Sequence, residues 1–361
     1  MKICIVTTSL GIGGAEKAAA MQSIILSKLG YKVHIVLISN IIVFDYKGTI
    51  FNLGKLKDKN NTFFGKIKRT ILFRKYLKDN KFDAVIDNRL RTSGLLNELA
   101  VCKYIYRNFK VLYVVHSASY KQEIIKSTYL KKWLLSNAFK IITVSDGLLV
   151  FLKQFYNQNK LLCIPNAVDI DAINNMANKP FETAYKYILF CGRFDEKCKN
   201  IKLLIRAYSK SKIYMNGIKL ILLGEGDDRE LYEKQIEDLK INDHVIFKPF
   251  TKNPYVYMKH AICTILTSYY EGFGLVLAES LACGTPVVAI NCETGPSEII
   301  INNVNGLLLE TYNVNELSFA LQKITYEKET LKKFRANAVE SVQNFTLESI
   351  SQKWKNALES N

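Results

Sequence analysis

The sequence predicts an α/β protein of two doubly wound, parallel-sheet units. Three observations carry this. A chain of 361 residues exceeds the usual extent of one domain. Strand-like apolar runs alternate with helix-like segments along most of its length. The runs are continuously apolar rather than alternating, as in strands covered by helices on both faces. An apolar fraction of 48% is enough for two cores, and a charged fraction of 23% argues against disorder.

In the first unit, strands are expected at residues 3–7, 33–38, 84–87, 111–115 and 141–144. The turn Gly11-Ile12-Gly13-Gly14 follows the first of these and precedes a helix-like stretch over 17–29. Glycines at that place let backbone amides approach a phosphate at a helix N-terminus. An ordinary tight strand-to-helix turn uses the same residues, and the spacing is not the GxGxxG of dinucleotide sites.

From Lys55 to Lys81 there are ten Lys or Arg and two Asp, interleaved with aromatic and aliphatic residues. Phe63, Phe64, Ile67 and Ile71 share one helical face, beside which Lys66, Arg69 and Lys78 can meet anionic headgroups or a lipid diphosphate. A core-facing helix with a solvated basic side fits the same pattern. His116 ends the fourth run and is followed by Ser117-Ala118-Ser119. It reads as either a satisfied structural side chain or an acid-base group.

Ile164-Pro165-Asn166-Ala167-Val168-Asp169 and the polar stretch to Pro180 break the rhythm, so the units are expected at 1–165 and 166–344. The second unit's strands are expected at 187–190, 219–223, 245–248, 262–267 and 287–290. After its first strand comes Cys191-Gly192-Arg193-Phe194-Asp195-Glu196-Lys197-Cys198-Lys199-Asn200. Arg193 offers a planar fork and Lys199 a point charge, a pair suited to a diphosphate. Solvated loop cations are the plain alternative.

Glu271 falls in a glycine loop after 262–267, and Glu279 on the helix implied by the apolar stretch 275–281. Seven residues lie between them, which on a helix is about two turns and one face. One carboxylate can then meet a sugar and the other ribose hydroxyls, with the Phe273 and Gly274 amides between. Helix capping is the competing explanation. Residues 345–361 are expected to form a helix that crosses back to the first unit, with Thr346 as N-cap and Leu347, Ile350, Trp354 and Leu358 on one face.

The net charge of +17 is unevenly placed: residues 1–165 hold 27 Lys and Arg against 9 Asp and Glu, and the remainder 23 against 24. A membrane surface, a phosphorylated substrate and nucleic acid each suit a basic first half, as does solubility alone. The eight cysteines include no CxxC pair and read as reduced thiols. No run approaches eighteen apolar residues, and the start lacks a secretory pattern. The cytoplasm is therefore expected, with any membrane contact peripheral.

Taken in order, Gly13-Gly14-Ala15-Glu16, His116, the Ile164 to Asp169 linker, the Gly192 to Asn200 segment, Leu222-Leu223-Gly224-Glu225-Gly226-Asp227-Asp228-Arg229-Glu230, the Glu271 to Glu279 block and Gly295-Pro296-Ser297-Glu298-Ile299-Ile300 resemble glycosyltransferase family 4 over nearly the whole chain. The resemblance implies a GT-B fold, with two Rossmann-like domains, an inter-domain cleft and a C-terminal crossover helix. It implies a retaining, metal-independent enzyme without cofactor, which moves a hexose or N-acetylhexosamine from a nucleotide sugar. A UDP-sugar is favoured and a GDP-sugar stays open. The implied acceptor is a growing, polyprenyl-diphosphate-linked surface glycan, of the polysaccharide, lipopolysaccharide or capsule kind, reached at the inner face of the cell membrane.

By matching position, Arg193 and Lys199 would bind the donor diphosphate, with Gly14 closing on it from the opposite domain. The amides of Phe273, Gly274 and Leu275 would contact sugar and phosphate. Glu271 would hold donor-sugar hydroxyls and Glu279 ribose hydroxyls, with His116 near the sugar and Phe250 near the base. The Arg-to-Lys spacing is one residue longer than the family's commonest, so Lys197 stands as an alternative to Lys199. Asp169-Ile170-Asp171 resembles the metal-binding DxD of other transferases, but its place in the linker marks it as structural. His34, His244 and His260 lack ligand-like spacing. The rival in another class is a GT-B nucleotide-sugar epimerase. A nucleic-acid-binding protein has only the charge in its favour and none of the recognition signatures.

Overall fold

The structure is a computed structural model and describes residues 1–89, 98, 101–117 and 138–359. Ala118 and Ser119, singled out above beside His116, lie outside the described residues. The chain divides into two compact units, Met1–Ala167 with Leu347–Asn361, and Val168–Thr346. The division falls after Ala167, two residues beyond Pro165, because Val168 donates its amide to Phe345 within the second unit, at 2.8 Å.

Among the described residues the first unit holds seven parallel strands, β1 (Lys2–Thr7), β2 (Lys32–Leu37), β3 (Thr49–Asn52), β4 (Ala84–Asp87), β5 (Val111–Val115), β6 (Lys140–Thr143) and β7 (Leu161–Cys163). Their order is β3-β2-β1-β4-β5-β6-β7. At the centre, Ile5 lies opposite Ile35 on one side and Ile86 on the other, and all three are fully buried. The chain steps outward from β1 through β2 and β3, then returns to β4. The sheet's reversal point is therefore between β1 and β4, where doubly wound folds bind ligands beyond the strand ends.

The second unit's six parallel strands are β8 (Tyr187–Cys191), β9 (Lys219–Leu223), β10 (Val245–Lys248), β11 (Thr264–Leu266), β12 (Val287–Ile290) and β13 (Gly306–Leu309), ordered β10-β9-β8-β11-β12-β13. Its reversal point lies between β8 and β11. The structure adds three strands to those expected, β3, β7 and β13, and each is an edge strand. An edge is paired on one side only. β3 has no fully buried residue and β7 spans three positions, so neither shows the long apolar run that marks an interior strand.

Helices α1 (Gly14–Lys28), α2 (Leu53–Lys59), α3 (Phe63–Asn80) and α4 (Asp146–Lys153) belong to the first unit. Against the core-facing alternative, α3 leaves Phe63, Phe64, Ile67 and Ile71 exposed, at 73%, 79%, 42% and 51%. It docks instead through Phe73 and Leu77, one turn apart and buried. In the second unit, α5 (Ile170–Ala177) follows the linker, and Asp169 caps it by accepting the Ala172 amide at 3.1 Å. The Asp169 and Asp171 pair is thus part of a helix start. A four-residue turn, α6 (Glu196–Lys199), leads into α7 (Ile201–Ser211). The latter buries Ile201, Leu204, Ile205 and Tyr208 at helical spacing.

Helix α8 (Arg229–Asp238) follows β9, α9 (Tyr255–His260) follows β10 and α10 (Leu275–Ala282) follows β11. A short α11 (Pro296–Ile299) follows β12, and α12 (Val314–Tyr326) and α13 (Lys328–Ala338) complete the unit. The last helix, α14 (Leu347–Glu359), returns to the first unit and buries Ile350, Trp354, Ala357 and Leu358. There it is tied by Tyr31, whose hydroxyl donates to Glu359 at 2.7 Å, and by Lys110 to the Leu358 carbonyl at 3.0 Å. Among the described residues no helix is long and apolar enough to cross a membrane.

Candidate active site

The second unit's reversal point brings the two candidate loops together. The loop after β8 carries Arg193 and Lys199, and the loop after β11 carries Glu271. Lys199 Nζ lies 2.6 Å from Glu271 Oε1, with the two side chains 18% and 13% exposed. Glu271 Oε1 also accepts the Ser268 hydroxyl at 2.6 Å. From the end of β11, Thr267 Oγ1 donates to the carbonyls of Lys199 and Asn200 at 2.9 and 3.1 Å, which fixes the turn that holds the lysine. Burial pulls the Lys199 ammonium down, but the Glu271 carboxylate and its hydrogen bond outweigh this and leave its pKa above the usual lysine value. Lys199 is therefore held in its charged form by Glu271.

Lys197 occupies the same turn and is exposed. Of the two lysines that spacing leaves open, geometry brings Lys199 to Glu271. Arg193 is 67% exposed and pairs with Asp195 at 2.7 Å. The loop between them is built by close backbone approach. Gly192 and Phe194 donate to the Leu223 and Glu225 carbonyls at 3.0 and 2.8 Å. A Cβ at Gly224 would lie 1.9 Å from the Gly192 oxygen, so only glycine fits there.

Helix α10 begins at Leu275, and Gly274 before it has φ +88°. Glu271 thus precedes the helix, in the glycine loop expected for it, and the glycine turn rather than the 3.6-residue period sets its relation to Glu279. Glu279, inside α10, is 6% exposed and accepts the Tyr255 hydroxyl at 3.4 Å. Phe273, Gly274 and Leu275 stand at the start of α10, where helix amides have no intrahelical acceptor and the dipole favours an anion. Phe273 is held by Gly295, at which a Cβ would lie 2.5 Å from the Phe273 oxygen and whose φ is +96°. Phe250 follows β10 and donates its amide to Glu225 Oε1 at 3.3 Å.

In the first unit Gly14 opens α1, and among that unit's described residues a Cβ added there would meet nothing within 4 Å beyond its chain neighbours and its own helix. His116 follows β5, with Nε2 2.7 Å from Asn88 Oδ1. Asn88 and Gln22 exchange both amide hydrogen bonds, at 3.1 and 2.7 Å. Beside them Arg89 donates from Nε and Nη2 to Asp87, at 3.0 and 2.8 Å, and reaches Glu98 at 3.5 Å. Burial pulls the Arg89 guanidinium down and Asp87 more than restores it, so its pKa stands well above the ordinary arginine value. Sequence reasoning missed Gln22, Asn88, Ser268 and Thr267. The available signal was polar residues ending otherwise apolar runs, as in Asp87-Asn88-Arg89 and Thr267-Ser268.

Comparison with known proteins gives the family. Residues 12–172 match the family model Glycosyltransferase Family 4, and residues 171–341 match Glycosyl transferases group 1. A Campylobacter jejuni protein, N-acetylgalactosamine-N,N'-diacetylbacillosaminyl-diphospho-undecaprenol 4-alpha-N-acetylgalactosaminyltransferase, is 30% identical over 347 residues, 93% of each chain. Crystal structures of Anabaena HepE with UDP and glucose and of S. aureus TarM share the fold. Each has a TM-score of 0.78, at 19% and 18% identity, over 100% of both chains for HepE and 99% of both for TarM. Fold and loops together define a GT-B glycosyltransferase. The chain belongs to the glycosyltransferases of group 1 and Family 4.

Proposed function

We propose that this enzyme transfers a hexose or N-acetylhexosamine from a UDP-sugar, with retention and without a metal ion, to a growing polyprenyl-diphosphate-linked glycan. The observation that carries this reading is the Lys199 and Glu271 pair beside the first turn of α10. It supports the reading because a cation and helix amides suit a diphosphate's developing charge, and a carboxylate suits sugar hydroxyls. The C. jejuni relative, matched over 93% of both chains, acts on an undecaprenol-linked diphosphate glycan by its name, and HepE was crystallised with UDP and glucose.

In this reading the bond from the sugar's anomeric carbon to the diphosphate breaks as an acceptor hydroxyl oxygen attacks from the same face. The hydroxyl proton passes to the departing phosphate, and the nucleoside diphosphate leaves. Arg193, Lys199 and the amides of Phe273, Gly274 and Leu275 stabilise the leaving group. Glu271 orients the sugar and Glu279 the ribose, Phe250 meets the base, and His116 acts at the sugar. Cation neutralisation by Lys199 and Arg193 takes the part a metal would otherwise play. Gly14 fits a ligand's approach, since no packing among the first unit's described residues requires glycine there.

The lipid acceptor brings the enzyme to an anionic membrane surface. The exposed Phe63, Phe64, Ile67 and Ile71, flanked by Lys66 and Arg69, have the composition of an interfacial helix face. No observation favours the epimerase alternative.

Two experiments test the reading. The purified enzyme is incubated with EDTA, a panel of UDP- and GDP-sugars and a short polyprenyl-diphosphate glycan, with products identified by mass spectrometry. Acceptor-dependent addition from a UDP-sugar is expected, and donor isomerisation without acceptor would contradict it. In flotation with phosphatidylglycerol vesicles the wild type is expected to bind, and Phe63→Ser with Phe64→Ser to bind less. Wild-type protein that ignores these vesicles at low salt would remove the membrane part.

A further inference from the structure

The first unit's reversal point holds a buried polar chain whose geometry makes a statement about His116. Asn88 is 2% exposed and Gln22 5%. Their amides face each other head to tail: Gln22 Nε2 donates to Asn88 Oδ1 at 3.1 Å, and Asn88 Nδ2 donates to Gln22 Oε1 at 2.7 Å. Asn88 is further anchored by its own amide, which donates to the Val6 carbonyl at 2.8 Å, across the β1 and β4 junction. Three elements are thereby locked together: α1, which starts at Gly14, the end of β4, and the end of β5.

The reciprocal pair uses one donor and one lone pair of each carboxamide, which leaves Asn88 Oδ1 a second lone pair for His116. Asn88 Oδ1, which also accepts from Gln22, stands 2.7 Å from His116 Nε2. An amide oxygen only accepts, so the hydrogen between them belongs to the imidazole.

We propose that Asn88, clamped by Gln22, is a positioning residue that holds His116 with its hydrogen on Nε2 and so makes Nδ1 the lone-pair nitrogen of the neutral ring. This rests on the reading above, in which His116 takes part in sugar transfer. The ring nitrogens of a histidine are chemically distinct, and the hydrogen bond made by one sets the role of the other. Loss of this hydrogen bond would let the ring turn from its place, and would slow turnover without loosening the donor's grip.

The test uses the full chain with 15N-labelled histidine. It has four histidines, at positions 34, 116, 244 and 260, and His116→Gln identifies the signal of interest. Long-range 1H-15N spectra above the imidazole titration should show the Nε2–H tautomer in the wild type. Asn88→Asp keeps an oxygen facing Nε2 and should keep that tautomer and most of kcat. Asn88→Leu, of like size, should lose the tautomer preference. Its kcat should fall about tenfold to a hundredfold, with donor KM within about twofold. Should Asn88→Leu fail to fold, Gln22→Met removes the clamp one step further away and is expected to weaken both readouts in the same direction.

A wild-type Nδ1–H tautomer, or an Nε2–H tautomer that survives Asn88→Leu, would overturn the positioning role. A lost tautomer with unchanged kcat would also overturn it, by removing His116 from the reaction while the enzyme still transfers sugar. A wild type that transfers no sugar would sink the transferase reading and the kinetic role with it, and the spectra would still report whether the clamp holds.

Discussion

The two units share a strand topology and differ in what they place where the sheet reverses. The first unit sets a chain of two amides and an imidazole there, beside an arginine enclosed by Asp87 and Glu98. The second sets a half-buried lysine against one carboxylate and leaves an arginine 67% exposed. The first half nevertheless carries all of the net positive charge. Net charge and site charge are therefore separate quantities. The basic excess includes the exposed helical surface of α2 and α3, while the cations poised for a diphosphate sit in the unit that is close to neutral.

The comparison breaks most visibly in stability. Arg89→Met strands the fully buried Asp87 without its guanidinium, and should cost about 3–5 kcal/mol in urea unfolding. Arg193→Met should stay within about 0.5 kcal/mol, because its pair is solvated. Equal losses would mean that the two arginines are not differently employed. A step smaller, Glu279→Ala should weaken UDP binding by about 1.5–3 kcal/mol, the worth of hydrogen bonds to a charged group, read by titration calorimetry. Gly14→Ala should raise unfolding stability by about 0.4–1 kcal/mol, since Ala fits a helix start without strain. It should also lower kcat/KM by about tenfold, equal to roughly 1.4 kcal/mol. A variant that is merely less stable would remove Gly14 from the site.

The smallest effect concerns Tyr312, whose hydroxyl donates to the carbonyls of Ser268 and Tyr269, both at 3.2 Å, and so steadies the Glu271 loop. Burial, then the neighbouring Cys292, Tyr269 and Glu293, push it up to about 12. The folded chain holds this proton more tightly than the unfolded chain, whose tyrosines titrate near 10. The stabilisation is therefore whole below about pH 10 and lost as pH rises toward 12. The stability gap between wild type and Tyr312→Phe should close across that interval. A gap that widens there would reverse the sign.

The interior strands were legible because burial on both faces demands unbroken apolar runs, as in Ile3 to Thr7 and Val111 to Val115. Three of the four edges, β3, β7 and β13, were not, since a strand paired on one side tolerates residues such as Thr49 and Asn52. The charged loops were legible as residue types at strand ends. Whether Lys197 or Lys199 faces the site was not, because α6 is a single turn whose direction is set by Thr267 from a strand far away in sequence. Gln22 and Asn88 escaped for a similar reason. Each is one polar residue in an apolar neighbourhood, and only the β1 and β4 pairing makes them meet.

The central claim is that the second unit's reversal point binds the donor diphosphate through Lys199. It is tested most directly by the Kd of UDP, measured by calorimetry in EDTA for wild type, Lys199→Ala and Lys197→Ala. The account predicts a loss of about tenfold to a hundredfold for Lys199→Ala and a Kd within about twofold of wild type for Lys197→Ala. Loss of UDP binding in Lys197→Ala with unaltered binding in Lys199→Ala would contradict it.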